Sequence, residues 1–446
     1  MRITKPIAAA RNSSRGFTLM ELMVAMAAGL LIAIAAFSFS RQATLAFARE
    51  SRVASAQMSV LAGFQRLQAD VARASYMASP NFNRDASTGR LCGYGDWPAW
   101  LRNLSLTGLQ VTPQGSQGAL KTVALGDGKF PDTIRIVGNL ATTESYTVMS
   151  IMQGAGVGHD IYIRVNDGPS TRSGFAGALG GEFSNVFLPG RMVRVLDMQG
   201  RQHYSVISSA TWNNGQPFIT TAWRLPLKGE ITSGAATMAL CGIDGFGKES
   251  QVNVVSIVDY GIANLSGAAI PQYTNTIYSA DATGPGDDTR TELVRREVFL
   301  GNSAPVQFYL DNTAVVAAEY AIDLRAALWT SNRSTGGCTV ASQGLAFCDF
   351  NSAGIPTLMG VGAWGTYVLG MPVTGPESVR TIRLRLAARS REVDRSVALD
   401  PTASGYSPPL IHGATFRHQV GTLGFARART LMADVALMNQ RGDAWY

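Results

Sequence analysis

The sequence predicts an α+β protein in which a long N-terminal α-helix precedes a β-rich domain with large loop insertions. Two observations point to the helix: residues 22–40 carry no charged side chain, and apolar residues recur at helical spacing over 41–79. From Pro80 onward, short β-branched runs alternate with Gly, Pro, Ser, Thr and Asn, which is typical of strands joined by loops. We therefore expect the helix to end at 79 and a globular domain to fill 80–446.

The charge-free segment is long enough to cross a bilayer as a helix, because it has 19 residues and is rich in Ala, Leu, Ile and Met. A cleavable secretory signal carries its small-residue site after a shorter apolar run, whereas here the recognisable site comes first. The apolar segment, taken as 17–40, should therefore survive processing as a membrane anchor. Four cations and no acid precede it, which favours a cytoplasmic N-terminus; they are Arg2, Lys5, Arg11 and Arg15.

The second half of the predicted helix, residues 41–79, has one apolar face that should pack on the globular domain. Its apolar residues are spaced by three, four and seven positions, and charged residues mark the other faces. The apolar set is Val53, Val60, Phe64, Leu67 and Val71, and the charged set includes Arg66, Asp70 and Arg73. With no proline before Pro80, we expect one helix of roughly 60 residues, about 90 Å long at 1.5 Å per residue.

Seven β-branched segments in the body of the chain are predicted to be strands. They are residues 132–138, 160–165, 191–196, 203–208, 252–258, 293–299 and 380–387. In the last segment, apolar residues alternate largely with Arg380, Arg383 and Arg385, which predicts a strand with one solvent-facing side.

A heptapeptide ahead of the apolar run, Arg15-Gly16-Phe17-Thr18-Leu19-Met20-Glu21, carries most of the functional information. A lone carboxylate at the edge of an apolar span is costly unless it is paired, so Glu21 needs a partner. A cut shortly before the helix would create such a partner, an α-amino group that is cationic near neutral pH and lies on the same helix. The alternative is an interfacial glutamate that reaches to the aqueous phase at the end of an ordinary signal anchor.

The heptapeptide closely resembles the cleavage motif of type IV prepilins. This resemblance implies a leader over residues 1–16, removed by a prepilin peptidase that cuts after Gly16 and methylates Phe17. It also implies that Glu21 pairs with the amine of a neighbouring subunit and sets the axial register of assembly. The protein would lie in the inner membrane with its N-terminus cytoplasmic and its pilin-like domain periplasmic, and later in a pilus fibre at the cell surface.

Five later segments resemble, in order along the chain, the PilW family of minor pilins: residues 131–136, 187–195, 291–296, 379–386 and 433–440. The resemblance implies partnership with other minor pilins, the major pilin and the inner-membrane assembly platform. The implied role is to prime pilus assembly, at the tip, in support of motility, adhesion or DNA uptake. Insertions at 168–181 and 264–289 make the chain longer than we expect of that family.

Two alternatives to the minor-pilin interpretation stay open. A pseudopilin of a type II secretion system uses the same N-terminal chemistry. A pilus-tip adhesin or other binding module would instead contact a ligand through exposed insertions, for example around Trp97 and Trp100.

The chain has four cysteines, Cys92, Cys241, Cys338 and Cys348, and none forms a C-x-x-C pair. An exported chain with an even count permits two disulfides with three possible connectivities. We favour Cys338 with Cys348, which closes a short loop, and Cys92 with Cys241. Four small buried hydrophobic residues are the alternative. No metal site is expected.

Charge and residue patterns argue against nucleic-acid binding and against catalysis. The net charge of +7 includes four leader cations, so 7 − 4 leaves about +3 on the mature chain.

The four histidines lie in no ligand-spaced pair. The glycine-rich stretch 153–158 lacks the lysine and strand-to-helix context of a phosphate loop, so we interpret it as a turn. Residues 281–288 hold three carboxylates, more typical of a solvated loop than of a Ca²⁺ site. We expect no enzymatic activity and no cofactor; a membrane-anchored periplasmic enzyme would need a nucleophile and base that the sequence does not display.

Overall fold

The computed structural model describes residues 18–104, 106–112, 131–154, 156, 158–171, 175, 181–213, 215–227, 246–263, 291–301, 307–309, 314–331, 339–340, 346–348, 367–368, 371–372, 375–390, 417–420 and 424–440. Two compact units are distinguished, Met1–Ser55 and Ala56–Tyr446. The described elements confirm the predicted α+β class, since a long apolar N-terminal helix precedes a β-rich domain.

The N-terminal helix α1 spans Leu19–Ala72, 54 residues rich in the helix-favouring Ala, Leu and Met. Its predicted apolar face is confirmed at Val60, Phe64, Leu67 and Val71, all of which are buried in the domain core. The side chain of Val53 lies outside the described residues. The helix ends at Ala72 rather than at the predicted boundary of 79.

Helix α1 ends early because the residues after it bond to a strand instead of continuing the helical ladder. The amides of residues 73 and 74 already donate to carbonyls three residues back, at 3.1 and 3.0 Å. The Ser75 amide then donates to the Val137 carbonyl at 2.9 Å, and Ser75 adopts a φ of 61°. Glycine at position 138 permits this approach, since a Cβ there would lie 2.8 Å from the carbonyl oxygen of residue 73.

Three short helices follow in the described part of the domain. They are α2 (Phe82–Ser87), α3 (Ala99–Arg102) and α4 (Glu182–Val186). Asn81 caps α2, because its side-chain oxygen accepts a hydrogen bond from the Arg84 amide at 3.2 Å. Single turns of 3-10 helix cover Tyr94–Asp96, Gly168–Thr171, Pro376–Ser378 and Met438–Gln440.

The larger sheet has eleven described strands, all paired antiparallel. They are β1 (Leu109–Thr112), β2 (Thr133–Gly138), β3 (Tyr146–Gln153), β4 (His159–Ile163), β5 (Met192–Leu196), β6 (Gln202–Asn213), β7 (Gln216–Thr221), β8 (Gln251–Ala263), β9 (Glu292–Leu300), β10 (Gln307–Tyr309) and β11 (Val315–Ala318). Between β3 and β4, the Gly154 amide donates to the Gly158 carbonyl at 3.2 Å, which agrees with the turn predicted for this glycine-rich stretch.

Six of these strands close into a ring in the order β3–β4–β7–β6–β5–β8. The ring closes at β8, where Val252 pairs with Tyr146 of β3 and Val255 pairs with Met192 of β5. Strand β8 then continues out of this barrel, and its second half pairs with β2 on one side and β9 on the other. One continuous strand therefore belongs both to the barrel and to the sheet under helix α1.

The remaining described strands form a six-stranded sheet and a small hairpin. They are β12 (Ala321–Thr330), β13 (Thr339–Val340), β14 (Ala346–Cys348), β15 (Tyr367–Val368), β16 (Met371–Pro372), β17 (Val379–Arg389), β18 (Arg417–Val420) and β19 (Gly424–Ala436). The six-stranded order is β13–β14–β12–β17–β19–β18, and β15 pairs with β16.

Three hydrophobic cores organise the domain. The helix core joins residues 60–74 to β1, β2, β8 and to β12, β17 and β19 of the second sheet. The barrel core fills the ring with inward residues such as Ile161, Val193 and Ile219, together with Phe183 from α4. The third core lies between residues 82–106 and the outer side of β5, β6 and β8.

All seven predicted strands are present, as β2, β4, β5, β6, β8, β9 and β17. The solvent-facing side predicted for β17 is wrong at Arg385, which is buried. Its guanidinium donates to Asp323 of β12 at 2.8 Å, so an ion pair rather than water satisfies it. Arg383 lies on the exposed part of the same strand and pairs with Asp434 of β19 at 2.7 Å.

Candidate functional site at the start of the N-terminal helix

Thr18 and Glu21 form a reciprocal hydrogen-bonded cap at the start of helix α1. The Glu21 amide donates to the Thr18 hydroxyl at 3.2 Å, while Glu21 Oε2 accepts from the Thr18 amide and hydroxyl, each at 3.0 Å. This capping box satisfies amides that have no partner within the helix, and it fixes the direction of the Glu21 carboxylate. Among the described residues, both of these bonds to the carboxylate end on Oε2.

The cap is independent of the leader, because both partners lie beyond the predicted cleavage point. Gly16 and Phe17, the predicted cleavage and methylation residues, lie outside the described residues, so their roles stay predictions. The function of Thr18 was missed in the sequence, although threonine three residues before glutamate is a readable capping signal. Thr18 thus joins Glu21 as a residue of the candidate site.

Behind the cap, Leu19–Phe47 is a helical segment long and apolar enough to cross a membrane. Its large apolar side chains are exposed: for example, Leu31 is 69% exposed and Phe37 is 73% exposed. Surfaces this apolar are typical of contacts with lipid or with other proteins. The segment fits a single-pass inner-membrane anchor and extends seven residues beyond the predicted end at 40.

A family model described as "Prokaryotic N-terminal methylation motif" matches residues 11–37. The matched segment holds the end of the predicted leader, the capping box and much of the apolar helix. With the apolar helix, it supports a type IV pilin-like protein, processed by prepilin peptidase and assembled with other pilins in the inner membrane. Proteins with this motif are structural subunits rather than enzymes. Searches of curated proteins and of solved structures find no significant match to this chain.

Asp70 ties the domain end of helix α1 to the larger sheet. Its Oδ2 accepts hydrogen bonds from Tyr260 of β8 and from Arg295 Nε of β9, each at 2.7 Å. The ion pair is largely buried, with each side chain 14% exposed. Burial and the adjacent Asp70 carboxylate both raise the pKa of Tyr260, so its hydroxyl stays a donor. Asp70, predicted to lie on a face of the helix other than the apolar one, is therefore a structural contact to the sheet.

Segments 131–136 and 187–195, for which the sequence suggested a PilW resemblance, carry charge pairs that join strands. Arg191, just before β5, forms a bidentate pair with Glu297 of β9, with N–O distances of 2.6 and 2.8 Å. Asp132, just before β2, bonds Arg325 of β12 at 3.2 Å, and Arg325 bonds Asp323 at 2.9 Å. The first pair therefore links two parts of the larger sheet, and the second links the larger sheet to the six-stranded sheet.

Two of the four cysteines, Cys92 and Cys348, are disulfide-bonded. Cys241 and Cys338 lie outside the described residues. The pairing of Cys338 with Cys348 and of Cys92 with Cys241 stays a prediction.

Trp97 is not the exposed binding residue that the adhesin alternative requires. It is 2% exposed and packs on Tyr94 and Phe82, with ring centroids 5.0 and 6.0 Å away. Trp100 is half-buried against the same core. Both residues therefore fasten residues 82–106 to the barrel. Of the two insertions, 264–289 lies outside the described residues.

Within the described chain, no group of three or more His, Cys, Asp or Glu side chains is arranged to hold a metal ion. Residues 281–288 and His412 lie outside it, as does the side chain of His418. His159 and His203 are both buried. The His159 Nδ1 accepts from the Leu225 amide at 3.1 Å, and the His203 Nδ1 donates to the Cys92 carbonyl at 2.8 Å. Both imidazoles are buried in the fold and bonded through Nδ1, and the buried Nε2 of His203 has no hydrogen-bond partner among the described residues.

His203 should make the domain sensitive to acid. Burial lowers its pKa from 6.5 to about 4, despite the bond to the Cys92 carbonyl. The unfolded chain therefore binds the proton first, and stability is lost as the pH falls from about 6.5 towards 4, by up to about 3 kcal/mol. In His203→Asn, which keeps a donor but cannot titrate, urea unfolding should lose about 3 kcal/mol less between pH 7 and 4. An unchanged pH dependence would contradict this assignment.

Proposed function

We propose that this protein is a minor pilin of the PilW type that helps to prime assembly of a type IV pilus. The observation that carries the proposal is the methylation motif over residues 11–37, with the Thr18–Glu21 cap at the helix start. In this proposal the peptidase cuts after Gly16, methylates Phe17 and leaves the domain in the periplasm. The subunit then enters the fibre with other minor pilins and the major pilin through the inner-membrane platform.

The geometry of the cap supports a register role for Glu21. Thr18 holds the carboxylate at the helix start, where an unpaired charge inside an apolar bundle is costly. A neighbouring subunit's N-terminal amine supplies the opposite charge only when the two helices are in the correct axial position. Misplaced subunits leave two charges unpaired, so they are disfavoured.

The size of the domain supports a minor rather than a major subunit. Six strands of the larger sheet build a barrel that shares β8 with the part of the sheet in contact with helix α1. A domain of this bulk is hard to repeat in every subunit of a slender fibre, but it is readily carried at a tip. A type II secretion pseudopilin shares the N-terminal motif. The two roles differ in whether pilus assembly or type II secretion requires the protein.

Mass measurement and N-terminal sequencing of the membrane form test the processing step. We expect a chain that begins at N-methylated Phe17 in cells with the peptidase and at Met1 in cells without it. Gly16→Glu should block cleavage almost completely because a charged side chain disturbs the peptidase site, whereas Gly16→Ala is the milder control. A mature chain that begins beyond residue 47 would contradict the proposal.

Deletion of the gene separates the assembly roles. In a minor-pilin role, deletion should reduce the number of surface pili and the amount of other minor pilins recovered in sheared fibres. Unchanged pili together with a defect in protein secretion would identify the pseudopilin instead.

A further inference from the structure

The outer side of helix α1 within the domain is apolar and exposed. The residues of this helix that join the domain core, from Val60 to Val71, lie on one side of it. On the opposite side, exposed residues recur at helical spacing and carry no charge; they are Met58, Leu61, Ala62, Gln65, Ala69 and Ala72. We call these residues the Met58 face. Met58 is 73% and Leu61 48% exposed, so large apolar side chains meet water here.

The chain returns to this face after strand β19. Leu437 is buried, and its amide donates to the Arg380 carbonyl at 2.8 Å. Asn439 Nδ2 then donates to the carbonyl of Ala72 at 3.3 Å, and Gln440 is fully buried. The chain therefore leaves the described fold at a fixed point, beside the C-terminal end of the Met58 face.

Six residues follow Gln440 in the sequence, and we call them the tail: Arg441-Gly442-Asp443-Ala444-Trp445-Tyr446. An extended chain of six residues reaches about 20 Å, at about 3.3 Å per residue. The Met58 face has about the same length, since the fourteen steps from Ala72 back to Met58 rise about 21 Å. The tail can therefore span the face from the point where it leaves the fold.

Positions along the two segments match when an extended tail is laid back along the helix from Ala72. Its third residue, Asp443, is then about 10 Å from the start, level with Arg66. Its fifth residue, Trp445, is about 16 Å from the start, level with Leu61. Since alternate residues of an extended chain point to the same side, Asp443 and Trp445 meet the helix together.

The chemistry of these pairs is complementary. Arg66 is exposed at the edge of the Met58 face and forms no ion pair with any residue that the structure describes. The Asp443 carboxylate supplies its anion. The small side chain of Ala62 leaves space beside Leu61 for the indole ring of Trp445. The Met58 face of a second copy brings no anion to Arg66, which favours the tail as the occupant.

We infer that the tail docks on the Met58 face of its own chain as a strap, with Trp445 against Leu61 and Asp443 paired with Arg66. Docking within one chain covers exposed apolar surface without a partner protein, and it shields that surface from a second copy. The strap is independent of the proposed role in pilus assembly, because it needs only the folded domain and the tail.

The photo-crosslinking amino acid p-benzoylphenylalanine, placed at Leu61, tests the strap in the full-length protein in detergent. Irradiation should link the tryptic peptide 53–66 to the tail peptide 442–446 within a single chain. The linked product should run as a monomer in a denaturing gel, and mass spectrometry identifies the two peptides. The same probe at Met198, which is 85% exposed between β5 and β6, is the control and should give no link to the tail.

Tail variants measure what holds the strap. In the protein that carries the probe at residue 61, Trp445→Ser should lower the yield of the link at least about threefold, because it removes the ring that covers the face. Asp443→Asn should lower the yield about twofold, in line with the small contribution of an exposed ion pair. Ala444→Ser is the matched control, since this position alternates away from the helix in the strap, and its yield should stay within about 1.2-fold.

Four results would overturn the inference: no link from residue 61 to the tail, equal links from residues 61 and 198, a link found mainly in a dimer band, or the same yield in Trp445→Ser as in Ala444→Ser. The dimer band would assign the Met58 face to a second copy instead. None of these results bears on leader cleavage or pilus number, which test the assembly role separately.

Discussion

Glu21→Gln should leave leader cleavage intact and reduce incorporation into the fibre by at least about tenfold, equivalent to about 1.4 kcal/mol or more. Glutamine preserves the cap, because its carbonyl oxygen still accepts from the Thr18 amide. The substitution therefore removes the negative charge while keeping the helix start. Only the pairing of that charge with a neighbouring amine is lost.

Quantitative immunoblots of sheared fibres, with mass measurement of the membrane fraction, check this result. Thr18→Ser is the matched control, since it keeps the hydroxyl that bonds Glu21. Thr18→Val removes the hydroxyl and should give an intermediate defect. Normal incorporation of Glu21→Gln would show that the carboxylate acts only as a helix cap and that its charge sets no register.

The strands that the sequence predicts correctly have β-branched residues in clear runs. β2, β5 and β8 are such runs, and each places its apolar residues in a core. β12 was not predicted, because Ala321–Thr330 mixes alanine, which favours helices, with Asp323 and Arg325. Its charges are buried in an ion-pair network whose partners come from distant parts of the chain. Propensity describes single residues, and so it misses strands that are stabilised by distant pairing.

Neither the closure of the barrel nor the end of helix α1 could be predicted from the sequence, and the reason is the same for both. Both depend on contacts between residues far apart in the chain, such as Val252 with Tyr146 and the Ser75 amide with Val137. A helix must stop by Pro80, but hydrogen bonding of the chain to strand β2 ends it earlier, at Ala72. The N-terminal site differs, because its chemistry is local: threonine and glutamate at a spacing of three specify the cap directly.

Asp70→Ala should destabilise the domain by about 3–5 kcal/mol, the usual cost of removing one partner from a buried ion pair. The truncation leaves the Arg295 guanidinium without its anion and the Tyr260 hydroxyl without its acceptor. Asp434→Ala is the control: its pair with Arg383 has the same short 2.7 Å distance but lies in solvent, with side chains 45% and 36% exposed. Such exposed pairs contribute about 0–1 kcal/mol. Urea unfolding of both variants at pH 7 measures the contrast.

A small effect of Asp70→Ala, similar to that of Asp434→Ala, would mean that water reaches Arg295 and that the pair does not fasten the helix. A large effect has a functional consequence. In the proposed assembly, pulling on the apolar part of α1 loads the contact between the end of the helix and the sheet, and Asp70 forms a buried ion pair in that contact. Double substitution of Asp70 and Arg295 by Asn and Gln should then recover part of the stability lost in Asp70→Ala, because no buried charge is left without a partner.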